Sequence, residues 1–208
     1  DVAARILNEG YDVEVIEVDA VLERERWLEL REQGIGGSDA SAIIGVNQYA
    51  SPLQVWLSKT HRRLGVPYGS DDAYLGAPSQ AAYWGTKLED AVASGFADHT
   101  GMDVIDLKAM LVQHGDHAPR VVNVDRCVYD VGVEAWVPLE IKTASAHIGS
   151  EWDDGPAGHA YTQVHHYDLT LRTGVAWICA LIGGNDFRFM RVNIDRAFQD
   201  DLAAIENS

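Results

Sequence analysis

Residues 121 to 143 read Val-Val-Asn-Val-Asp125-Arg-Cys-Val-Tyr-Asp130-Val-Gly132-Val-Glu-Ala-Trp-Val-Pro-Leu-Glu140-Ile-Lys142-Thr. Two runs rich in Val, Ile, Tyr and Trp flank Asp130 and Gly132. That is the pattern of a β-hairpin, with β-branched and aromatic residues in the strands and turn formers between them. A turn centred between Gly132 and Val133 sets Asp125 across from Glu140, and opposed residues share one face of a sheet. Side chains alternate along a strand, so Lys142 joins that face while Leu139 and Ile141 point the other way. One face of the hairpin therefore carries Asp125, Glu140 and Lys142.

Two carboxylates that close repel one another, and a single lysine neutralises only one of them. A divalent cation removes the conflict. Oxygen-only ligands suit Mg²⁺ or Mn²⁺, and Mg²⁺ takes one or two carboxylates while keeping several waters. A compact ammonium beside the ion can stabilise charge developing on a phosphate. The chemistry this predicts is metal-assisted phosphodiester hydrolysis. Taken alone, the three residues have a simpler reading as a solvated surface hairpin with a weak Glu140–Lys142 pair. The surroundings have to decide.

The chain has 208 residues, 47% hydrophobic and 23% charged, which fits one globular domain over residues 1–208 with a core of useful size. No window is apolar enough to span a membrane and no signal peptide opens the chain. The first residue is Asp1 and the last, Ser208, closely follows a helical pattern, so a trimmed chain is expected. Cys127 and Cys179 lie in apolar strand-like runs without Cys-x-x-Cys spacing and read as buried reduced thiols, which fits a reducing cytoplasm. A formal net charge of -16 argues against a protein that coats nucleic acid non-specifically. It leaves room for an enzyme that confines its positive charge to one channel.

Residues 1–10 read as a short helix and Tyr11 to Val18 as a strand. Asp19 can cap a helix from Ala20 to about Gln33, with Leu22, Trp27, Leu28 and Leu30 facing the core. Then comes Arg31-Glu-Gln-Gly-Ile-Gly-Gly-Ser38-Asp39, in which Ser38 or Asp39 is placed to cap the next helix. Glycines leading into a helix start make an anion site, and Arg31 could add a forked cation; an ordinary helix-loop-helix corner fits the spacing equally well. A helix from Pro52 carries the basic run Lys59, His61, Arg62, Arg63, a solvated helix end or a backbone contact. Residues 66–79 read as a mobile loop.

Ser79 to Thr100 reads as a helix with Leu88, Val92 and Phe96 on its apolar stripe, Trp84 also packing and Glu89 at the boundary. Val104 to Val112 supplies a strand, and His114 and His117 in the following turn form only a weak metal pattern. After the hairpin, residues 144–155 read as a polar loop, and Pro156 starts a helix on which Gln163 and Tyr167 stack at i and i+4. Val175 to Ile182 reads as a central strand, Phe187 to Ile194 as its partner, and a last amphipathic helix follows. The sum is an α/β chain with a mixed sheet of four or five strands flanked by helices.

Five motifs now stand in one order: Arg31 with Gly-Ile-Gly-Gly-Ser38-Asp, Trp84-Gly-Thr-Lys-Leu-Glu89, Val-Asp125-Arg, Leu-Glu140-Ile-Lys142-Thr, and Gln163-Val-His-His-Tyr167. The succession resembles the YqaJ-type viral recombinases, the phage alkaline exonuclease family that includes lambda exonuclease, within the PD-(D/E)xK nucleases. The resemblance spans about residues 24–195 and implies a restriction-endonuclease-like core. It implies that Asp125 and Glu140, with the carbonyl of Ile141, bind the catalytic Mg²⁺ or Mn²⁺ and that Lys142 assists attack. Glu89 would complete the acidic cluster, Gln163 would support it, and Arg31 with Ser38 would hold a terminal 5′-phosphate. The implied activity is a DNA exonuclease acting 5′ to 3′ on duplex ends in recombination, with a single-strand annealing protein as a partner and a homo-oligomer as a possible assembly. An endonuclease of the same fold and a non-catalytic partner-binding module are the alternatives. Val124 stands where the motif's name would put Pro, a departure that bears on strand shape rather than chemistry.

Overall fold

In a computed structural model that describes residues 13–47, 50–64, 80–114 and 119–208, the central hairpin forms in the register its sequence predicts. Strand β6 (Arg126–Asp130) runs antiparallel to β7 (Ala135–Ala144), pairing Arg126 with Leu139, Val128 with Val137 and Asp130 with Ala135. Asp130 fixes the turn by accepting the Gly132 N–H at 2.8 Å. It also receives the Trp177 indole N–H and the Arg191 guanidinium, which lets a buried carboxylate stay charged.

The hairpin sits inside a five-stranded sheet ordered β3 (Val104–Ile105), β6, β7, β8 (Val175–Ile182), β9 (Asp186–Asn193). Only β7 and β8 run parallel, so the sheet is mixed. Alternation gives it two apolar faces. Leu139, Ile141, Val128 and Cys179 pack on Val92, Ala93 and Phe96 of α4 (Gln80–Thr100). Ile178, Ala180 and Cys127 pack on the opposite side with Val164, Tyr167 and Leu171 of α5 (Gly158–Leu171). Glu140 and Lys142, alternating with Leu139 and Ile141, therefore lie under α5.

A second sheet joins β1 (Val13–Glu17), β4 (Ala109–Gln113), β5 (Arg120–Val122) and β2 (Ile35–Gly36) in that order. The single strand expected over Val104 to Val112 is thus two strands in two sheets. Asp106 accepts the Lys108 N–H at 3.0 Å and Lys108 takes a left-handed φ of 46°, which turns the chain from one sheet to the other. The run Val121 to Asp130 divides in the same way: β5 belongs to the second sheet, β6 to the first, and Asp125 lies at the crossing.

Other boundaries move. Helix α1 (Arg24–Glu32) starts later than Ala20, because the Asp19 carboxylate takes the N–H groups of Val21 and Leu22 in a turn. Leu22 is consequently 83% exposed, whereas Trp27 and Leu30 are buried as expected. Trp84, expected to pack, is 54% exposed. The loop after the hairpin contains a 3₁₀ turn (Ala146–Trp152) that buries Trp152, and α5 starts at Gly158, two residues beyond Pro156. Helices α2 (Gly37–Ile43), α3 (Pro52–Leu64) and α6 (Arg196–Glu206) complete the described elements. The helix read over residues 1–10, the loop 66–79 and His117 lie outside the described residues. No helix among the described residues is long and apolar enough to cross a membrane. Cys127 and Cys179 are buried free thiols; burial pushes both up, Cys179 to about 12, which leaves them unreactive.

Helix α6 is fastened by its last residue. Glu206 is buried between Arg120, at 2.8 Å, and His166 Nδ1, at 2.7 Å. Burial opposes its charge, but His166 and Arg120 outweigh burial and hold the carboxyl below its ordinary value of 4.5. A depressed carboxylate stabilises the fold above its unfolded pKa and loses that contribution as pH falls through the folded one. Glu206→Gln is expected to lower stability near neutral pH by about 3 kcal/mol. It should also flatten the fall in melting temperature expected of the wild type below about pH 4.5, which thermal melts across acid pH will check.

Candidate active site

Glu140 stands near the middle of β7 with 1% of its surface exposed. Its Oε1 contacts the Lys142 ammonium, and its Oε2 accepts the Tyr167 O–H at 2.8 Å. The Tyr167 oxygen in turn accepts from Gln163 Nε2 at 3.2 Å, so the i, i+4 pair read on α5 is a buried relay ending on Glu140. Asp125, at the crossing between sheets, accepts the Ile141 N–H through Oδ2 at 2.8 Å, and its Oδ1 bonds to none of the described residues. Asp125, Glu140 and Lys142 are thus brought together on the face predicted for them.

Burial, and then the neighbouring Glu140, push the Asp125 carboxyl well above the usual carboxylate range. Burial alone would lower the Lys142 amine, but Glu140 and Asp125 outweigh it and hold it above its ordinary value, so it remains an ammonium. Tyr167 is raised by burial and by the two acids and remains a phenol that donates. Two carboxylates and one ammonium leave one negative charge uncompensated in a site walled by protein. The donors are oxygens only, and Asp125 Oδ1 has no hydrogen-bond partner among the described residues, which fits a hard divalent cation. Among the described residues no three His, Cys, Asp or Glu side chains are gathered as a ligand group. Mg²⁺ needs only one or two carboxylates, so the pair suffices.

Glu89 reaches the rim of this cluster from α4, but its Oε1 is taken by Arg126 Nη1 at 2.5 Å. Arg126 also pairs with Asp90 and donates to the Asp125 carbonyl. Burial raises the Glu89 carboxyl despite the pull of Arg126, and the charge of Glu140 adds to the rise. Arg126 is absent from the sequence-based site. A signal for it existed: its register partner is Leu139, so it projects to the α4 face where Glu89 stands.

Arg31 Nη2 donates to Ser38 Oγ at 2.8 Å, so the two expected phosphate contacts are neighbours. Neither expected residue is the helix cap. The N-cap of the seven-residue α2 is Gly36, whose N–H is accepted by the Asp39 carboxylate at 2.8 Å. Lys59 pairs with Asp39 at 2.7 Å and donates to the Arg31 carbonyl at 2.5 Å, tying α3 into the same cluster. Lys59 was legible only as one member of a basic run. Of the two histidines, His114 faces Glu14 across the β1–β4 pair at 3.3 Å and lies away from the acids.

Residues 26–176 match the model of the YqaJ-like viral recombinase domain. Protein YqaJ of Bacillus subtilis (strain 168) is 38% identical over 196 residues, covering 93% of this chain and 57% of that protein. The chain therefore spans little more than half the length of this relative. An alkaline exonuclease (LHK-Exo) from Laribacter hongkongensis has a similar fold, with a TM-score of 0.63 at 16% identity over 88% of each chain. A second structure of LHK-Exo, in complex with dAMP, gives 0.65 at 16% identity over 88% of this chain and 89% of that one.

Gly37 joins the two halves of the site. A Cβ at this position would stand 2.7 Å from Tyr167 Cε1 and 3.3 Å from Gln163 Cγ, so glycine serves here for close approach to α5. Gly37→Ala gains about 1 kcal/mol of helix propensity. The overlap with a buried, hydrogen-bonded tyrosine costs about 1–3 kcal/mol before that gain is set against it, so a net loss of up to about 2 kcal/mol is expected in urea denaturation.

Proposed function

The chain belongs to the YqaJ-like viral recombinase domain family, and on that premise we propose that it is a metal-dependent DNA exonuclease of the PD-(D/E)xK type, residues 1–208 forming one nuclease domain. It would degrade one strand of duplex ends from 5′ to 3′ during phage-type recombination, beside a single-strand annealing protein. The observation that carries the proposal is the uncompensated Asp125–Glu140–Lys142 face, joined through Tyr167 and Gly37 to Arg31 and Ser38.

Asp125 and Glu140, with the Ile141 carbonyl, would hold Mg²⁺ or Mn²⁺, and Glu89 completes the acidic cluster at its rim. When bound, the ion supplies Lewis-acid polarisation of the phosphate and lowers the pKa of a water at neutral pH. Tyr167, backed by Gln163, fixes one oxygen of Glu140 and so sets the direction of the other. Lys142 is held protonated by the two acids, so it acts as a positive charge and proton donor toward the phosphate rather than as a base. Arg31 presents a planar fork and Ser38 a hydroxyl to a terminal 5′-phosphate. Because the segment carrying them abuts Tyr167, a held end lies at a fixed offset from the acids. Polarity follows, since the bond cut is the one within reach of that end.

The decisive assay uses end-labelled linear duplex with and without a 5′-phosphate, and a closed circle, in Mg²⁺ and in EDTA. Linear DNA should be shortened from its 5′ ends in Mg²⁺ only, more slowly without the 5′-phosphate, and the circle should survive. A cut circle would move the assignment to an endonuclease, and equal rates with and without the phosphate would remove the clamp. Lys142→Ala should reduce cleavage by about 10²-fold or more while keeping the wild-type circular dichroism spectrum. Cleavage at the wild-type rate in that variant would overturn the mechanism.

A further inference from the structure

We infer that Lys59 is a positioning residue for the terminal phosphate: by holding the Asp39 carboxylate from α3, it leaves the Arg31 guanidinium at Ser38 and open to an incoming 5′-phosphate. The inference rests on the nuclease reading above and adds to it the residue that keeps the end-binding cation available.

Four side chains from three helices meet here: Arg31 from the last turn of α1, Ser38 and Asp39 from α2, and Lys59 from α3. Arg31 Nη2 donates to Ser38 Oγ at 2.8 Å and lies 3.7 Å from Asp39 Oδ1. The other Asp39 oxygen receives the Lys59 ammonium at 2.7 Å and the Gly36 N–H at 2.8 Å. Lys59 also donates to the Arg31 carbonyl at 2.5 Å, so a single ammonium ties the carboxylate to the backbone of the residue whose side chain it spares. The side chains of Lys59 and Asp39 are 17% and 14% exposed, against 31% for Arg31. Both contacts of the ammonium are internal, and the guanidinium is the more open group. The effect of Lys59 on a phosphate is therefore indirect.

Removing the ammonium leaves Arg31 beside an unbalanced, largely buried carboxylate that already faces it with one oxygen. A guanidinium prefers a forked, charge-assisted pair to a contact with a neutral hydroxyl. Arg31 would then close the remaining gap and leave Ser38, and a phosphate would have to compete with an internal anion for one fork. Burial opposes the Asp39 charge, but Lys59 and then Arg31 outweigh it and hold the carboxyl below its ordinary value of 3.8. Asp39 is thus an anion at neutral pH and needs a standing counter-charge. With Lys59 the three charged side chains carry one net positive charge, and without it they carry none.

The test compares kcat/KM of the full chain in Mg²⁺ on end-labelled linear duplex bearing a 5′-phosphate and bearing a 5′-hydroxyl, and takes their ratio, in which any general loss of activity cancels. The wild type should give a ratio well above one. Lys59→Met should lower it about fivefold or more. The double variant Asp39→Asn with Lys59→Met, which removes the competing anion as well, should return it to within about twofold of the wild type. An unchanged ratio in Lys59→Met would overturn the inference. So would a double variant as low as Lys59→Met, since a lysine that touched the phosphate itself, or only held the fold, would not be rescued by the loss of Asp39. If Lys59→Met lacks the wild-type circular dichroism spectrum, Lys59→Gln, which keeps a donor for the Arg31 carbonyl without the charge, is read in its place against the same two expectations. A wild-type ratio of one would instead remove the phosphate clamp, and no cleavage of either duplex would remove the nuclease reading; the inference falls in both cases.

Discussion

Glu140 is an ionisable group with almost no access to solvent, on a strand enclosed by helices on both faces. Placing a carboxylate there is strongly unfavourable unless its oxygens are matched by partners. The surrounding architecture provides them one by one. Lys142, two residues along the same strand, takes one oxygen, and Tyr167 of α5 takes the other. Tyr167 needs α5 pressed onto the sheet, and Val164, Leu171 and Ile178 press it there. Its phenol is supported by Gln163, and its ring is covered by a segment so close that position 37 has no room for a side chain. The glycine-rich corner, the helix and the strand are thus coupled through one carboxylate.

The second acid is placed by topology. Asp125 lies in the short segment where the chain leaves the second sheet and enters the first. Its carboxylate is therefore not committed to a ladder or a helix cap, and among the described residues only the Ile141 N–H hydrogen-bonds to it. Because that N–H belongs to the residue between Glu140 and Lys142, one hydrogen bond locks the two acids into a common frame. A carboxylate whose Oδ2 is fixed by the backbone while its Oδ1 has no partner among the described residues is the geometry a hard cation selects.

How much of this was legible depended on whether the signal was periodic. The hairpin register followed from alternation about a Gly-containing turn, and with it the shared face of Asp125, Glu140 and Lys142. The same alternation places Arg126, a cation, on the opposite face beside Leu139. The two sheet crossings were not legible. At residues 106–108 an Asp–N–H bond and a left-handed lysine do the turning, and neither Asp nor Lys demands such a turn. Helix α1 failed at its start for a similar reason, since an aspartate that can cap a helix can equally close a turn ahead of one. Glycine spacing at Arg31 fits an anion site or a plain helix corner equally, and only the family resemblance gives Ser38 a phosphate role. The structure attaches Lys59 and Asp39 to this corner, a tertiary meeting of α2 with α3 that no local pattern encodes.

The distribution of charge bears on how such a chain can meet DNA at all. With a net charge of -16, most of its surface repels a polyanion. The cations near the acids are nearly all committed to partners: Lys142 to Glu140, Arg126 to Glu89, Lys59 to Asp39. Arg31 differs. Its closest partner is the Ser38 hydroxyl at 2.8 Å, and its nearest carboxylate oxygen is 3.7 Å away on an Asp39 that Lys59 already claims. A guanidinium so placed can turn to an incoming phosphate without breaking a close ion pair. Long duplex interiors, which need many such contacts, would find few of them here. A terminal phosphate needs only one, and it carries more charge than an internal diester. For the function proposed above, the sparse free positive charge among the described residues suits engagement at an end better than grip along a duplex.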